Sequence, residues 1–470
     1  MSLTLANALR IKPSDGIAFI GSGGKTTAIF QLARQIESPV IVAATSHLGT
    51  WQVSMADKHI VASPHVIREI ENDSSGVILV TGPIDGGKTK PIDDDLLREL
   101  HQFCINRSIP LLIEADGSRQ KPLKAWAEHE PPIPDFVNHV VHVVGLIGLG
   151  KPLGEDFVHR PELFSDLSGL NIDGFITSDA LIRVLNHKKS GLKNIPADAR
   201  RSVLLNQADT PELQASARGM AEQLLSSFDS VVISSLAHEQ IFAVHEPVAG
   251  IILAAGESAR YGQPKQLLDW KGEPFVRVTA KRALEAGLSP VVVITGANAE
   301  RVETAIQDLN VRVVRNSEWK NGQASSIRTA LDSFGPPPPF GHLPQIRRKT
   351  ILDNQNTNVG FGGGWEGVGA AIFLLVDQPH ITTSILHALV EKHAEGLYPI
   401  VAPMVMDHRA NPVLFDRATF PDMLTLEGDV GGRAIFHKHK VEYLPWHDDR
   451  LLLDVDTPEQ YQRLLADESL

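Results

Sequence analysis

Short runs rich in valine, isoleucine and leucine recur along this chain, and longer stretches with helical spacing separate many of them. Such alternation can fold in few ways: strands linked by helices that pack back on the sheet build a parallel α/β layer. One series comprises residues 16–20, 40–43, 77–80, 110–114, 140–144, 201–205 and 230–234, with helical stretches such as 26–36 and 212–227 between some of them. The pattern pauses at Val244-His245-Glu246-Pro247-Val248-Ala249. A second series follows at residues 250–254, 290–295, 311–315, 370–376, 399–402 and 441–444. The two series predict two α/β domains, 1–243 and 244–470, which suits 470 residues at ~100–200 residues per domain. The halves do not align with each other, so a tandem repeat is not expected. Residues 333–367 interrupt the second series with four consecutive prolines, the basic Arg347-Arg348-Lys349 and Asn- and Gly-rich runs. That composition cannot bury a core and predicts a disordered insertion, with a binding lid or docking arm as the alternative.

Composition matters here for what it excludes. Acidic residues outnumber basic ones, 56 against 44, for a formal charge of −12. This balance gives no global attraction to nucleic acid or anionic lipid, so neither is expected as a partner. Cys104 is the single cysteine, which excludes an internal disulfide and a Cys-rich metal cluster and predicts a small core residue on a helix over 93–106. The first residues lack a basic segment followed by an apolar one. The longest apolar stretches, such as 140–149, fall short of the ~20 residues that span a bilayer. A cytoplasmic protein is the expectation.

In the first half, the strand at 16–20 runs into Gly21-Ser22-Gly23-Gly24-Lys25-Thr26-Thr27 and then a helix. Glycines let backbone N–H groups curl around phosphate oxygens, and the helix N-terminus adds partial positive charge. Lys25 is then placed to reach phosphate oxygens and Thr26 to touch Mg²⁺. Phe19 stands where a standard P-loop has glycine, so the loop is a variant, expected to bind an unidentified nucleotide through Gly21, Gly23, Gly24, Lys25, Thr26 and Thr27. Gly86-Gly87-Lys88-Thr89 looks similar but is followed by Lys90-Pro91 and not by a helix, so a hairpin turn is expected there. The strand ending Glu114-Ala115-Asp116-Gly117 offers two candidate Mg²⁺ carboxylates, Asp116 ahead of Glu114, with an Asp-Gly turn as the alternative. Asn206-Gln207-Ala208-Asp209 has two readings, a base-edge reader or a turn with a helix cap before Pro211.

Further residues in this half form a specific set: Thr45-Ser46-His47, Glu114-Ala115-Asp116-Gly117-Ser118, Lys121-Pro122-Leu123-Lys124-Ala125, Glu128-His129-Glu130-Pro131-Pro132-Ile133-Pro134 and His159-Arg160-Pro161. With the glycine loop, they resemble the selenium-dependent hydroxylase accessory family over nearly the whole half. The resemblance implies a role beside molybdenum hydroxylases, with a hydroxylase as client. It makes His47, His129 and His159 site candidates, against plainer roles as structural or exposed histidines.

The second half opens on Ile251-Ile252-Leu253-Ala254-Ala255-Gly256-Glu257-Ser258-Ala259-Arg260-Tyr261-Gly262-Gln263-Pro264-Lys265. A buried strand enters a loop of small residues, so backbone amides at Leu253, Ala254, Ala255 and Gly256 can approach a triphosphate while Arg260 and Lys265 neutralise it. This spacing resembles the opening of molybdenum cofactor cytidylyltransferases. Later segments recur in that family's order. Asn316 to Ser326 brings serines placed to cap a helix, and the resemblance makes Ser326 a nucleotide-binding candidate. Leu374-Leu375-Val376-Asp377-Gln378-Pro379 delivers Asp377 to a strand end. Gly428-Asp429-Val430-Gly431-Gly432-Arg433 and Leu453-Asp454-Val455-Asp456-Thr457-Pro458-Glu459 complete the set.

The resemblance implies a Rossmann-like nucleotidyltransferase domain following the variant P-loop domain, with Arg260, Lys265 and Asp377 in catalysis. It also implies Mg²⁺ on Asp377 and Asp456, and acceptor binding by Asn411, Asp429 and Arg433. Ala254-Ala255-Gly256 favours CTP, because the guanylyltransferase relatives carry Ala-Gly-Gly there. Arg409-Ala410-Asn411-Pro412 departs from the family's Arg-Gly-His-Pro. The implied reaction moves CMP from CTP to molybdopterin cofactor and releases pyrophosphate. A phosphate nucleophile is already ionised near neutral pH, so positioning and charge compensation suffice without a strong base. The alternatives are a sugar-1-phosphate nucleotidyltransferase, or a cofactor-delivery chaperone without catalysis. Asp377 and Asp456 also have plainer readings as helix caps.

Overall fold

A computed structural model describes residues 3–37, 39–72, 74–258, 261–335 and 364–466. Arg260 and nearly all of the 333–367 insertion lie outside the described residues. The chain divides into two compact units, Met1–His245 and Glu246–Leu470.

The first unit is built on nine strands: β1 (Gly16–Gly21), β2 (Val40–Ala44), β3 (Lys58–Val61), β4 (Val77–Thr81), β5 (Leu111–Glu114), β6 (His139–Gly145), β7 (Arg200–Asn206), β8 (Ser230–Ser235) and β9 (Gln240–His245). Their order is β9-β8-β7-β6-β1-β5-β2-β4-β3. All neighbours run parallel except β9, which returns antiparallel on β8. The central β1 is buried at every position, as a strand covered on both faces must be. Helix α1 (Lys25–Gln35) leaves the end of β1 and packs against β1 and β5. Cys104 is buried on the helix Asp94–Arg107, where burial pushes its thiol up to about 12. The segment at 244–249 is not a pause. It is the end of β9 followed at once by the next strand, because His245 and Val244 pair with Val231 and Val232. Lys58–Val61 escapes a hydrophobicity pattern for a related reason: as an edge strand it buries only Ile60.

The second unit contains β10 (Val248–Ala254), β11 (Val291–Thr295), β12 (Arg312–Arg315), β13 (Ala370–Leu375), β14 (Ile400–Val405), β15 (His408–Arg409), β16 (Val413–Asp416) and β17 (Val441–Pro445). Its sheet has the order β12-β11-β10-β13-β16-β14-β15, with β17 also pairing β14. The expected all-parallel layer is corrected to a mixed sheet: β16 runs antiparallel between β13 and β14. Side-chain alternation splits the core in two. Ile252, Val293, Ile372 and Leu374 face one cluster with helix α2 (Phe275–Glu285), whereas Ile251, Ile294, Ala371 and Phe373 face another with helix α3 (Gln323–Asp332). Helices therefore cover both faces, and the strand ends carry the loops that hold polar side chains.

Candidate functional site

In the first unit the glycine loop has the expected strand–turn–helix frame. Gly21, Gly23 and Gly24 all have positive φ, and a Cβ at Gly23 would lie 2.4 Å from the Gly145 backbone. Three neighbours brace the loop. Ser22 Oγ donates to the Pro122 carbonyl at 2.9 Å, the Ser22 amide donates to Val143 O at 2.8 Å, and Asn206 Nδ2 donates to Gly23 O at 2.8 Å. Asn206 also accepts from Ser234 Oγ and the Leu236 amide, so its side chain is a bracket for the loop and not a base-edge reader. The helix after it is capped by Thr210, not Asp209, which accepts from Ser235 instead.

Lys25 is buried and bends back: its Nζ donates to Gly21 O at 2.7 Å and lies 3.2 Å from Asp116 Oδ1. Asp116 Oδ2 accepts from Lys124 Nζ and Trp126 Nε1, both at 2.8 Å, and from the Gly21 amide at 3.2 Å. Burial would raise the Asp116 carboxyl, but Lys25 and Lys124 hold it below its ordinary value. The Asp116 carboxylate, the sequence reading's first choice as a metal ligand, is thus engaged by two lysines, Trp126 and the loop backbone. Glu114 is the carboxylate that meets Thr26: its Oε2 accepts from Thr26 Oγ1 at 3.3 Å and from Gln52 Nε2 at 3.3 Å, while Gln52 Nε2 also reaches Thr26 Oγ1 at 2.7 Å. Thr27 is exposed on the helix.

Burial raises the Glu114 carboxyl above 4.5, with Lys25 opposing it only in part. Its contribution to stability is thus fully present below the unfolded value and lost as pH rises through the folded one. Glu114→Gln is expected to flatten that dependence and leave the protein at least as stable as wild type at pH 8, as urea unfolding at pH 4 and pH 8 would read. A variant clearly less stable at pH 8 would contradict it.

The three candidate histidines do not form one cluster with the loop. His47 Nδ1 pairs with the Thr89 carbonyl, His129 is exposed, and His159 pairs through its backbone with Lys124 across a short parallel ladder. Burial beside Arg160 takes His159 down to about 4. Gly86 and Gly87 turn the short hairpin of Ile84–Asp85 and Lys88–Thr89, as expected.

In the second unit, the loop after β10 carries Lys265 to two carboxylates, Asp377 in the turn after β13 and Asp456 in the segment before the last helix. Lys265 Nζ donates to Asp377 Oδ2 at 2.9 Å and to Asp456 Oδ1 at 2.8 Å. Burial alone would lower the Lys265 ammonium, but Asp377 and Asp456 carry it above its usual value. Neither aspartate caps a helix. The helix Thr383–Gly396 starts beyond Thr382, and Pro458–Ala466 is preceded by Thr457, which accepts from the Gln460 amide. Gln266, buried, ties the loop down by donating to the carbonyls of Ala254 at 3.1 Å and Gly256 at 2.6 Å. The Lys265 amide donates to Ser258 Oγ, and Ala255 packs against Gly296. Gln378 donates to Asp454 at 2.6 Å, and burial next to Asp377 raises the Asp454 carboxyl.

A cavity of about 230 Å³ opens beside these strand ends, with Leu253, Phe373 and Phe415 as apolar walls and Gln323, Asn411 and Arg433 as polar ones. Arg433 Nη2 donates to Asn411 Oδ1 at 3.3 Å, and Asp429 accepts from the Gln323 amide at 3.3 Å. The serines do not cap α3: Ser325 and Ser326 lie inside it, and both accept from Asn316 Nδ2, at 2.8 and 3.1 Å. Sequence reading missed Gln52, Gln266 and Asn316 as the amides that fix these loops. No local signal marks them, because each is a buried amide in a stretch whose neighbours are mostly exposed or half-buried. Among the described residues no helix is long and apolar enough to cross a membrane.

Comparison with known proteins divides the chain the same way. Residues 17–162 match the model of the YqeC protein family, and residues 250–443 match that of the MobA-like NTP transferase domain. The uncharacterized protein YqeC of Escherichia coli is 30% identical over 199 residues, covering 41% of this chain and 75% of that protein. In the second half, the nicotine blue oxidoreductase of Paenarthrobacter nicotinovorans is 29% identical over 227 residues, covering 46% of this chain and 96% of the relative. The purine catabolism protein PucB of Bacillus subtilis is 30% identical over 224 residues, covering 45% and 93%.

Proposed function

Because the chain belongs to the YqeC family in its first unit and to the MobA-like NTP transferases in its second, we propose that it cytidylylates molybdopterin cofactor, with a nucleotide-binding accessory unit attached. The second unit is a nucleotidyltransferase. The observation that carries the finer proposal is the convergence of Lys265, Asp377 and Asp456 at the end of the loop after β10, next to the cavity lined by Asn411 and Arg433.

In the reaction, a phosphate oxygen of the acceptor forms a bond to the α-phosphorus of CTP. The bond from that phosphorus to the bridging oxygen breaks, and pyrophosphate leaves with the electron pair. Lys265 compensates triphosphate charge, and the backbone from Leu253 to Gly256, tied down by Gln266, shapes its cradle. Arg433 and Asn411 are placed to hold polar groups of the acceptor, and Phe373 and Phe415 offer an apolar floor to a flat ring system. Asp377 and Asp456, two carboxylates aimed at one cationic centre, fit a hard divalent ion such as Mg²⁺. When bound, that ion would supply charge stabilisation on phosphate oxygens. In the first unit, Glu114 with Thr26 is the donor pair that fits Mg²⁺ beside a nucleotide on the glycine loop, and a molybdenum hydroxylase is the proposed client.

The test is pyrophosphate release by purified protein with Mg²⁺ and molybdenum cofactor, using CTP, GTP and ATP in parallel. CTP is expected to be preferred at least roughly tenfold, a binding difference of about 1.4 kcal/mol. Preference for GTP would overturn the base assignment. Turnover with sugar 1-phosphates and none with molybdenum cofactor would overturn the acceptor.

A further inference from the structure

Lys25, Asp116 and Lys124 form a buried charge cluster whose side chains are 3%, 0% and 1% exposed. Burying two ammonium groups on one carboxylate is a costly way to fill a core, and its geometry is unequal. Asp116 Oδ2 is saturated: Lys124 Nζ and Trp126 Nε1 at 2.8 Å, with the Gly21 amide at 3.2 Å. Asp116 Oδ1 makes no hydrogen bond and has only the Lys25 ammonium, at 3.2 Å. Lys124 donates also to Gly117 O at 2.6 Å and lies 3.6 Å from Glu130, which Arg160 holds in turn. Its ammonium is thus tied to Asp116 and the Gly117 carbonyl, with Glu130 as a second carboxylate beside it. Lys25 is loosely held by Asp116 and sits at the first position of α1, in the loop itself.

The two lysines are also tied to the same backbone. The Pro122 carbonyl, two residues before Lys124, accepts from Ser22 Oγ and from the Gly145 amide, so the segment bearing Lys124 is fastened to the glycine loop.

We propose that Lys124 is a positioning residue for the phosphate loop: together with Trp126 it holds Asp116 in place, so that Lys25 can turn from Asp116 to an incoming phosphate group without stranding a buried carboxylate. The proposal rests on the reading of this loop as a nucleotide phosphate site. It assigns Asp116 the part of an internal counter-ion that occupies Lys25 until a phosphoryl oxygen competes for it. Removing the charge of Lys124 would leave Lys25 as the one lysine paired with Asp116, beside the neutral donors Trp126 and the Gly21 amide, locking Lys25 away from the ligand. Removing the charge of Asp116 as well would unlock it.

The experiment uses the full chain carrying Lys265→Ala, so that the second unit's loop contributes little, and titrates Mg²⁺ with pyrophosphate or ATP by calorimetry. In this background Lys124→Met and Lys124→Gln are expected to weaken binding roughly tenfold or more. Adding Asp116→Asn is expected to restore affinity to within roughly threefold of Asp116→Asn alone. Thermal melts of each variant identify any that do not fold, and the Asp116→Asn/Lys124→Met pair, which removes one negative and one positive charge together, keeps the comparison available. If Lys25→Ala abolishes binding while both Lys124 variants bind like their parent, the proposal fails and the phosphate-loop reading survives. If the double variant binds no better than Lys124→Met, Lys124 contacts the ligand or merely holds the fold, and the proposal fails again. No binding by the parent would sink both.

Discussion

Asp377→Ala is expected to lower the rate of nucleotidyl transfer by roughly a thousandfold, about 4 kcal/mol of lost transition-state stabilisation. The residue lies in the turn two positions after the buried β13, and it accepts from Lys265 at 2.9 Å. Its loss removes a carboxylate for the divalent ion and one of the two anchors that orient Lys265, leaving Asp456 at 2.8 Å as the other. Lys265→Ala should fall to a similar level, and the double variant should be little worse than either, because residues acting on one phosphate group are not additive. Folding should be nearly untouched, since Asp377 is part-exposed and exposed ion pairs contribute little to stability. The measurement is steady-state pyrophosphate release together with a thermal melt. A folded Asp377→Ala protein with undiminished turnover would remove Asp377 from the catalytic set. Undiminished delivery of cofactor to a hydroxylase, with turnover gone, would favour the chaperone role.

Gly23→Ala is expected to cost several kcal/mol of stability, or to abolish nucleotide binding by the first unit if the chain absorbs the change locally. The φ of Gly23 is +85°, a region in which a side chain is strained, and a Cβ there would meet the Gly145 backbone at 2.4 Å and Pro122 O at 2.9 Å. Neither neighbour can move as a side chain moves. Gly145 ends β6, and Pro122 O is held by Ser22 and Gly145. Relief must come from the loop, which would carry Gly24 and Lys25 off the end of β1. Gly86→Ala in the short hairpin is the control: φ is also positive, +56°, but open space surrounds the position, so only the smaller strain of about 1 kcal/mol is expected. Chemical denaturation of both variants, with ATP or pyrophosphate titration of the folded fraction, checks the pair. Equal effects at Gly23 and Gly86 would contradict the close-packing account.

The loops and the candidate residues were legible in the sequence. The glycine loop of the first unit could be found because a strand, a run of small residues and a helix are contiguous, and the same context exposed Gly86-Gly87-Lys88-Thr89 as a turn. Arg433 and Asn411 were legible only through resemblance, and the cavity they share was not legible at all. The serines of α3 were misjudged because a serine near a helix start commonly caps it, whereas here the buried Asn316 side chain donates to both hydroxyls. Asp116 was placed ahead of Glu114 because both end one strand, and nothing local tells which will meet Thr26 and which will meet a lysine.

The sequence by itself determined that two α/β units follow one another and where the glycine loop and the small-residue loop lie, and it singled out Lys265, Asp377 and Asp456 as candidates for one site. Those are signals of periodicity, of contiguous motifs and of motif order. Only the tertiary structure decided the electrostatic partners, because they depend on which groups are buried together across long stretches of chain. Thr26 meets Glu114 over 88 positions, and Lys265 meets Asp377 and Asp456 over 112 and 191. The strength of a charge pair is set by distance and by exclusion of water, and neither is written in the local order of residues.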